Sequence, residues 1–85
     1  MTIPLTGDVV VIGRSAIADL VFTDDSLSRQ HARLVRVGDE HKLEDLESRN
    51  GVFLNSIRIF SATLRTGDTI QLGELIFLYS EGIHS

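Results

Sequence analysis

Apolar residues occur in short runs rich in Val, Ile, Leu and Phe, and each run is cut by Gly, Asp, Asn or Ser. No long stretch keeps its apolar positions three and four apart, as the buried face of a helix would. The pattern predicts strands at roughly 2–5, 8–13, 19–22, 31–37, 41–46, 51–54, 57–60, 68–72 and 75–79. Short strands this closely spaced predict an all-β sandwich or barrel.

Three connections look purely connective. Gly73-Glu74 reads as a tight hairpin with Gly where positive φ is needed, Asn55-Ser56 as a second two-residue hairpin, and Gly38-Asp39-Glu40 as a third turn. Three other loops carry more polar groups than a turn requires: 14–18, 23–29 and 47–51. Functional groups concentrate on such loops when a rigid sheet carries them. Strict alternation of strand direction would put the 14–18 loop at the opposite end from the other two. Only the shortness of the intervening strand and the length of an arginine side chain then favour convergence.

At 85 residues the chain has room for one core, and with no cysteine that core must hold without disulfides or thiolate-bound zinc. The longest apolar runs, Val9–Ile12 and Leu75–Tyr79, are too short to span a bilayer, and the first residues lack a basic start and a long apolar stretch. These features predict a soluble, cytoplasmic protein. A formal charge of −4 opposes nucleic-acid binding through a broad basic face. The basic residues are Arg14, Arg29, Arg33, Arg36, Arg49, Arg58, Arg65 and a single lysine, Lys42. Guanidinium's planar fork suits two-point recognition of phosphate or carboxylate.

In chain order the sequence presents Ile12-Gly13-Arg14, Ala18-Asp19-Leu20, Ser28-Arg29-Gln30-His31, Leu43-Glu44-Asp45-Leu46, Ser48-Arg49-Asn50-Gly51, Gly67-Asp68-Thr69-Ile70 and Leu72-Gly73. This series, over about residues 8–79, closely resembles the forkhead-associated (FHA) domain, with its Gly-Arg, Ser-x-x-His, Asn-Gly and late Gly-Asp-x-Ile. The resemblance implies an eleven-stranded sandwich of two twisted, mainly antiparallel sheets that binds an extended phosphothreonine peptide through loops at one end. It assigns Arg14, Ser28 and Arg29 to the phosphate and Asn50 to the peptide backbone. Gly13, His31 and Gly51 become supports of the site, His31 holding Ser28 in position. Arg49 stands where many members carry a small hydroxyl residue, so its contact would be with phosphate or with an acidic peptide residue. Ser26 replaces a basic residue that some members use to select the third residue after the phosphothreonine.

Chemistry supports such assignments, because a phosphothreonine brings nearly two charges and three acceptor oxygens that call for convergent donors and a permanent cation. Asp19, Asp45 and Asp68 match scaffold acids, and Asp24-Asp25 reads as a solvated loop, since it lacks the spacing of a calcium site. No metal or cofactor is expected. The expected partner is a threonine-phosphorylated protein, either a kinase or its substrate, and neither nucleic acid nor membrane. The family's first strand is expected to be missing or supplied from elsewhere, which leaves an edge open to dimerisation, or the 85 residues form one module of a larger protein. The alternative function is a phosphate-independent scaffold of the same fold. A Ser28–His31 hydrolase is disfavoured, because no nucleophile turn or oxyanion arrangement accompanies the pair.

Overall fold

A computed structural model of the protein describes residues 3–5 and 7–81. Nine strands build two packed sheets among these residues. They are β1 (Val9–Gly13), β2 (Leu20–Val21), β3 (Ala32–Val37), β4 (Glu40–Asp45), β5 (Val52–Leu54), β6 (Ile57–Ile59), β7 (Ser61–Thr63), β8 (Thr69–Leu72) and β9 (Leu75–Leu78). One sheet runs β2-β1-β3-β4-β7 and the other β6-β5-β8-β9. No described helix is long and apolar enough to cross a membrane.

Alternation along each strand sends one set of side chains between the sheets. Val10 and Ile12 of β1, Leu34 of β3 and Leu43 of β4 face Val52 of β5 and Ile70 and Leu72 of β8 in one cluster, completed by Leu27, Leu64 and Tyr79. Phe22 meets Phe77 across the sheets with ring centroids 5.3 Å apart. Leu43, Val52 and Leu72 are wholly buried, so the core lies directly beneath the strands that carry the polar loops.

The turns follow their residues. Asn55 and Ser56 both take positive φ, as a type I′ hairpin requires, with Ser56 where glycine is usual, and Asn55 Oδ1 accepts Thr69 N–H at 2.9 Å. Gly73 has positive φ and Glu74 does not, the pattern of a II′ turn. Gly38 and Asp39 alone separate β3 from β4, one residue fewer than the sequence suggested.

Three expectations are corrected. Residues 3–5 form no strand, while Thr2 lies outside the described residues. Pro4 has no N–H to offer a ladder, and Leu5 instead packs against the core. Second, β7 pairs with β4 through Ala62 opposite Leu43, although Ser61-Ala62-Thr63 shows no apolar alternation. Third, strand direction does not simply alternate: β1 and β2 are parallel, with Ile12 opposite Leu20 and Gly13 opposite Val21. The segment 14–19 therefore doubles back along β1, and both strands finish at the same end of the sandwich. β9 is an edge of its sheet, with Ile76 and Leu78 exposed.

Candidate functional site

Because β1 and β2 end together, Arg14 emerges beside the 22–31 loop. Arg14 N–H donates to Ser28 O at 3.0 Å and Ser15 N–H to Arg29 O at 3.1 Å, zipping the two loops together. Gly13 permits this approach, since a Cβ there would fall inside contact distance of the Arg29 carbonyl oxygen. The start of β3 and the end of β4 lie at the same end, through Ala32 opposite Asp45, and so bring in the loop 46–51.

His31 fastens these loops from below. Its ring is fully buried; Ser28 N–H donates to Nδ1 at 3.0 Å, which leaves Nε2 as the protonated nitrogen, donating to Gly51 O at 2.8 Å. Both ring nitrogens are thereby committed, and neither is left to deprotonate Ser28 Oγ. Ser48, also buried, accepts Gly51 N–H on Oγ at 3.1 Å and donates its own N–H to Asp45 Oδ1 at 2.9 Å. Gly51 sits at φ 88°, where a side chain would be strained, and Glu47 takes φ 57° in the same loop.

Above this base, exposed Arg14 and Asn50 and half-buried Ser28 are each anchored by one side-chain bond and keep further donors free. Arg14 Nε donates to Leu27 O at 3.1 Å, leaving both terminal nitrogens toward solvent. Ser28 Oγ accepts Arg49 N–H at 3.0 Å, so its own hydrogen can point outward. Asn50 Nδ2 donates to Ser26 O at 2.8 Å, leaving Oδ1 and a second N–H available. Arg29 and Arg49 are exposed, and the one salt bridge among the described residues, Arg33 with Glu44 at 2.6 Å, lies on β3 and β4. Arg14, Ser28, Asn50 and the Arg49 backbone thus share one hydrogen-bonded surface, and Arg29 joins it through its backbone. Such a surface suits an anion with several acceptor oxygens.

Besides Ser48, further supports were missed in the sequence. Ser26 O receives Asn50, and Ser26 Oγ accepts Glu74 N–H at 2.9 Å. The Gly73-Glu74 turn is therefore more than connective: it braces the 23–29 loop, and a Cβ on Gly73 would stand 2.5 Å from Ser26 O. Asp24 is likewise more than a solvated loop residue. Its Oδ1 accepts both Ser26 N–H at 2.8 Å and Ser26 Oγ–H at 2.6 Å, and these bonds, the hydroxyl's first, hold its carboxyl below the ordinary value of 3.8. An Asp two residues before a Ser is the signal for this turn. The scaffold acids act in the same way, Asp19 Oδ2 accepting Val11 N–H at 2.8 Å and Asp68 Oδ2 accepting Arg65 N–H at 2.8 Å.

The family model of the FHA domain matches residues 10–73. The chain belongs to the FHA domain family. Among relatives of this FHA domain, FhaB of Mycobacterium tuberculosis is 38% identical over 73 residues, covering 85% of this chain and 47% of FhaB. The oxoglutarate dehydrogenase inhibitor of Corynebacterium jeikeium is 32% identical, covering 92% of this chain and 54% of the inhibitor. The chain thus spans about half the length of these two relatives. Among solved structures, EmbR of M. tuberculosis in complex with a low-affinity phosphopeptide superposes with a TM-score of 0.89 at 34% identity, over 96% of this chain and 22% of EmbR. A structure from work on phosphothreonine-dependent FHA domain interactions gives 0.83 at 31%, over 87% of this chain and 77% of that one.

Proposed function

We propose that this FHA domain is a phosphothreonine-dependent interaction module that binds an extended segment of a threonine-phosphorylated partner protein. Arg14, Ser28 and Arg29 take the phosphate, and Asn50 takes the peptide backbone. Arg49 lies beside them for the phosphate or an acidic neighbour. Gly13, His31 and Gly51 hold the loops, and no bond is made or broken.

The observation that carries this reading is the linkage through Ser28. Its carbonyl accepts the Arg14 N–H, its own N–H is fixed by His31 and its Oγ by the Arg49 backbone, while the neighbouring Leu27 carbonyl holds Arg14 Nε, so a hydroxyl and a guanidinium are anchored to one loop before any ligand arrives. Prior ordering lowers the entropy cost of binding, and charge-assisted bonds to phosphate contribute roughly 1.5–3 kcal/mol each. The phosphopeptide bound to EmbR and the phosphothreonine dependence studied in the other solved structure favour the same reading.

Titration with matched peptides carrying phosphothreonine, phosphoserine and unmodified threonine tests it. Binding confined to the phosphorylated forms, tighter for phosphothreonine, is the expected result. Equal binding of the unmodified peptide would favour a phosphate-independent scaffold, for which the exposed β9 edge with Ile76 and Leu78 is the supporting feature.

A further inference from the structure

The hairpin of β5 and β6 brings one more arginine to the loop end. Phe53 is paired with Arg58, and Val52 with Ile59, so Arg58 lies on the strand beside the chain leaving Asn50-Gly51. Its guanidinium lies over Gly51: a Cβ placed on that glycine would be 3.1 Å from Arg58 Nε, 3.3 Å from Cζ and 3.3 Å from Phe53 Cε1. The missing side chain at position 51 therefore makes room for Arg58 as well as permitting the positive φ. Arg58 is exposed, and among the described residues its guanidinium has neither a carboxylate at salt-bridge distance nor a hydrogen-bond acceptor. Phe60, 78% exposed, follows at the same end, where its carbonyl accepts Asp45 N–H at 2.9 Å.

We propose that Arg58, held against Gly51 and Phe53, is a specificity-determining residue that selects an Asp or Glu flanking the phosphothreonine of the bound segment. The inference rests on the phosphopeptide reading above. With Asn50 holding the peptide backbone, the next part of an extended chain passes Gly51 and comes within reach of the guanidinium. An extended chain advances ~3.3 Å per residue, so the selected acid stands within about three residues of the phosphothreonine. Carboxylate suits the position because a fork with all its donors free can take it at two points.

A glutamate scan reads this out. A phosphothreonine peptide with alanine at the three flanking positions on each side is compared with six variants, each carrying one Glu, against the wild type and Arg58→Gln. The expected result is a gain of about fivefold at one position, the scale of a solvent-exposed ion pair, that is lost in Arg58→Gln and weakened by high salt. The all-alanine phosphopeptide should bind both proteins alike. No gain at any position, or a gain that survives Arg58→Gln, overturns the proposal, the latter assigning selection to Arg29 or Arg49. Failure of the wild type to bind the all-alanine phosphopeptide while binding no Glu variant either would instead remove the phosphopeptide reading itself, and this subsite with it.

Discussion

Ser28 and His31 are joined through the backbone N–H of the first and Nδ1 of the second, 3.0 Å apart, and that one bond sets the direction of the other, from Nε2 to Gly51 O. Replacing His31 by Ala leaves the Ser28 N–H and the buried Gly51 carbonyl short of a partner and opens a cavity. Unpaired buried groups and cavities together predict a loss of about 2–4 kcal/mol. Urea unfolding should show the midpoint falling accordingly, with phosphopeptide affinity reduced at temperatures where the variant is still folded. An unchanged midpoint would mean that the histidine is not the clasp described.

Gly73 and Gly38 have nearly the same positive φ, 59° and 62°, but differ in surroundings. A Cβ at 38 meets nothing within 4 Å, whereas one at 73 presses on the Ser26 backbone. Gly38→Ala should cost about 1 kcal/mol from conformation alone. Gly73→Ala should cost clearly more and also weaken phosphopeptide binding, since Ser26 carries Asn50. Equal costs in thermal unfolding would show that the Ser26 contact is unimportant.

Gly13 has negative φ, so its need is purely steric. Gly13→Ala should separate the Arg14 and Arg29 strands of backbone and lower stability by more than about 2 kcal/mol, as overpacking against rigid backbone does. Amide exchange at Arg14 and Ser15 should rise in the same variant. Protection equal to wild type would contradict the close approach.

Hydrogen bonds hold Asp24 and Asp68 below the ordinary carboxylate value of 3.8, from the Ser26 hydroxyl and N–H in one case and from Asn55 and the Arg65 N–H in the other. A folded-state pKa below the unfolded one adds stability that is present above 3.8 and disappears as pH falls through the lowered value. As pH falls from 3.8 through the lowered values, stability should therefore decline less steeply in an Asp24→Asn, Asp68→Asn variant than in the wild type. Identical slopes would remove these two carboxylates from the acid response.

Most of the sandwich was legible because its inner faces alternate cleanly, as in Val10 and Ile12 or Ile70 and Leu72. Ser61–Thr63 was not, since a strand held by one alanine against Leu43 carries no periodic signal. Convergence of the loops was hidden for a different reason. A two-residue strand lying parallel to its predecessor cannot be distinguished by composition from one that reverses. Within the site, residues that display donors were visible in the Gly-Arg, Ser-x-x-His and Asn-Gly pieces. Ser26, Ser48 and Gly73, which orient them from beneath, became apparent only from contacts between segments distant in sequence.

On the reading proposed above, phosphate is taken by Arg14 beside Ser28. Calorimetric titration of one phosphothreonine peptide into the wild type and Arg14→Ala measures it most directly. Loss of a charge-assisted bond of about 2 kcal/mol predicts at least a roughly thirtyfold weaker Kd for the variant, with its unfolding midpoint little changed. Equal affinity of the two proteins for the phosphopeptide would show that Arg14 does not take the phosphate.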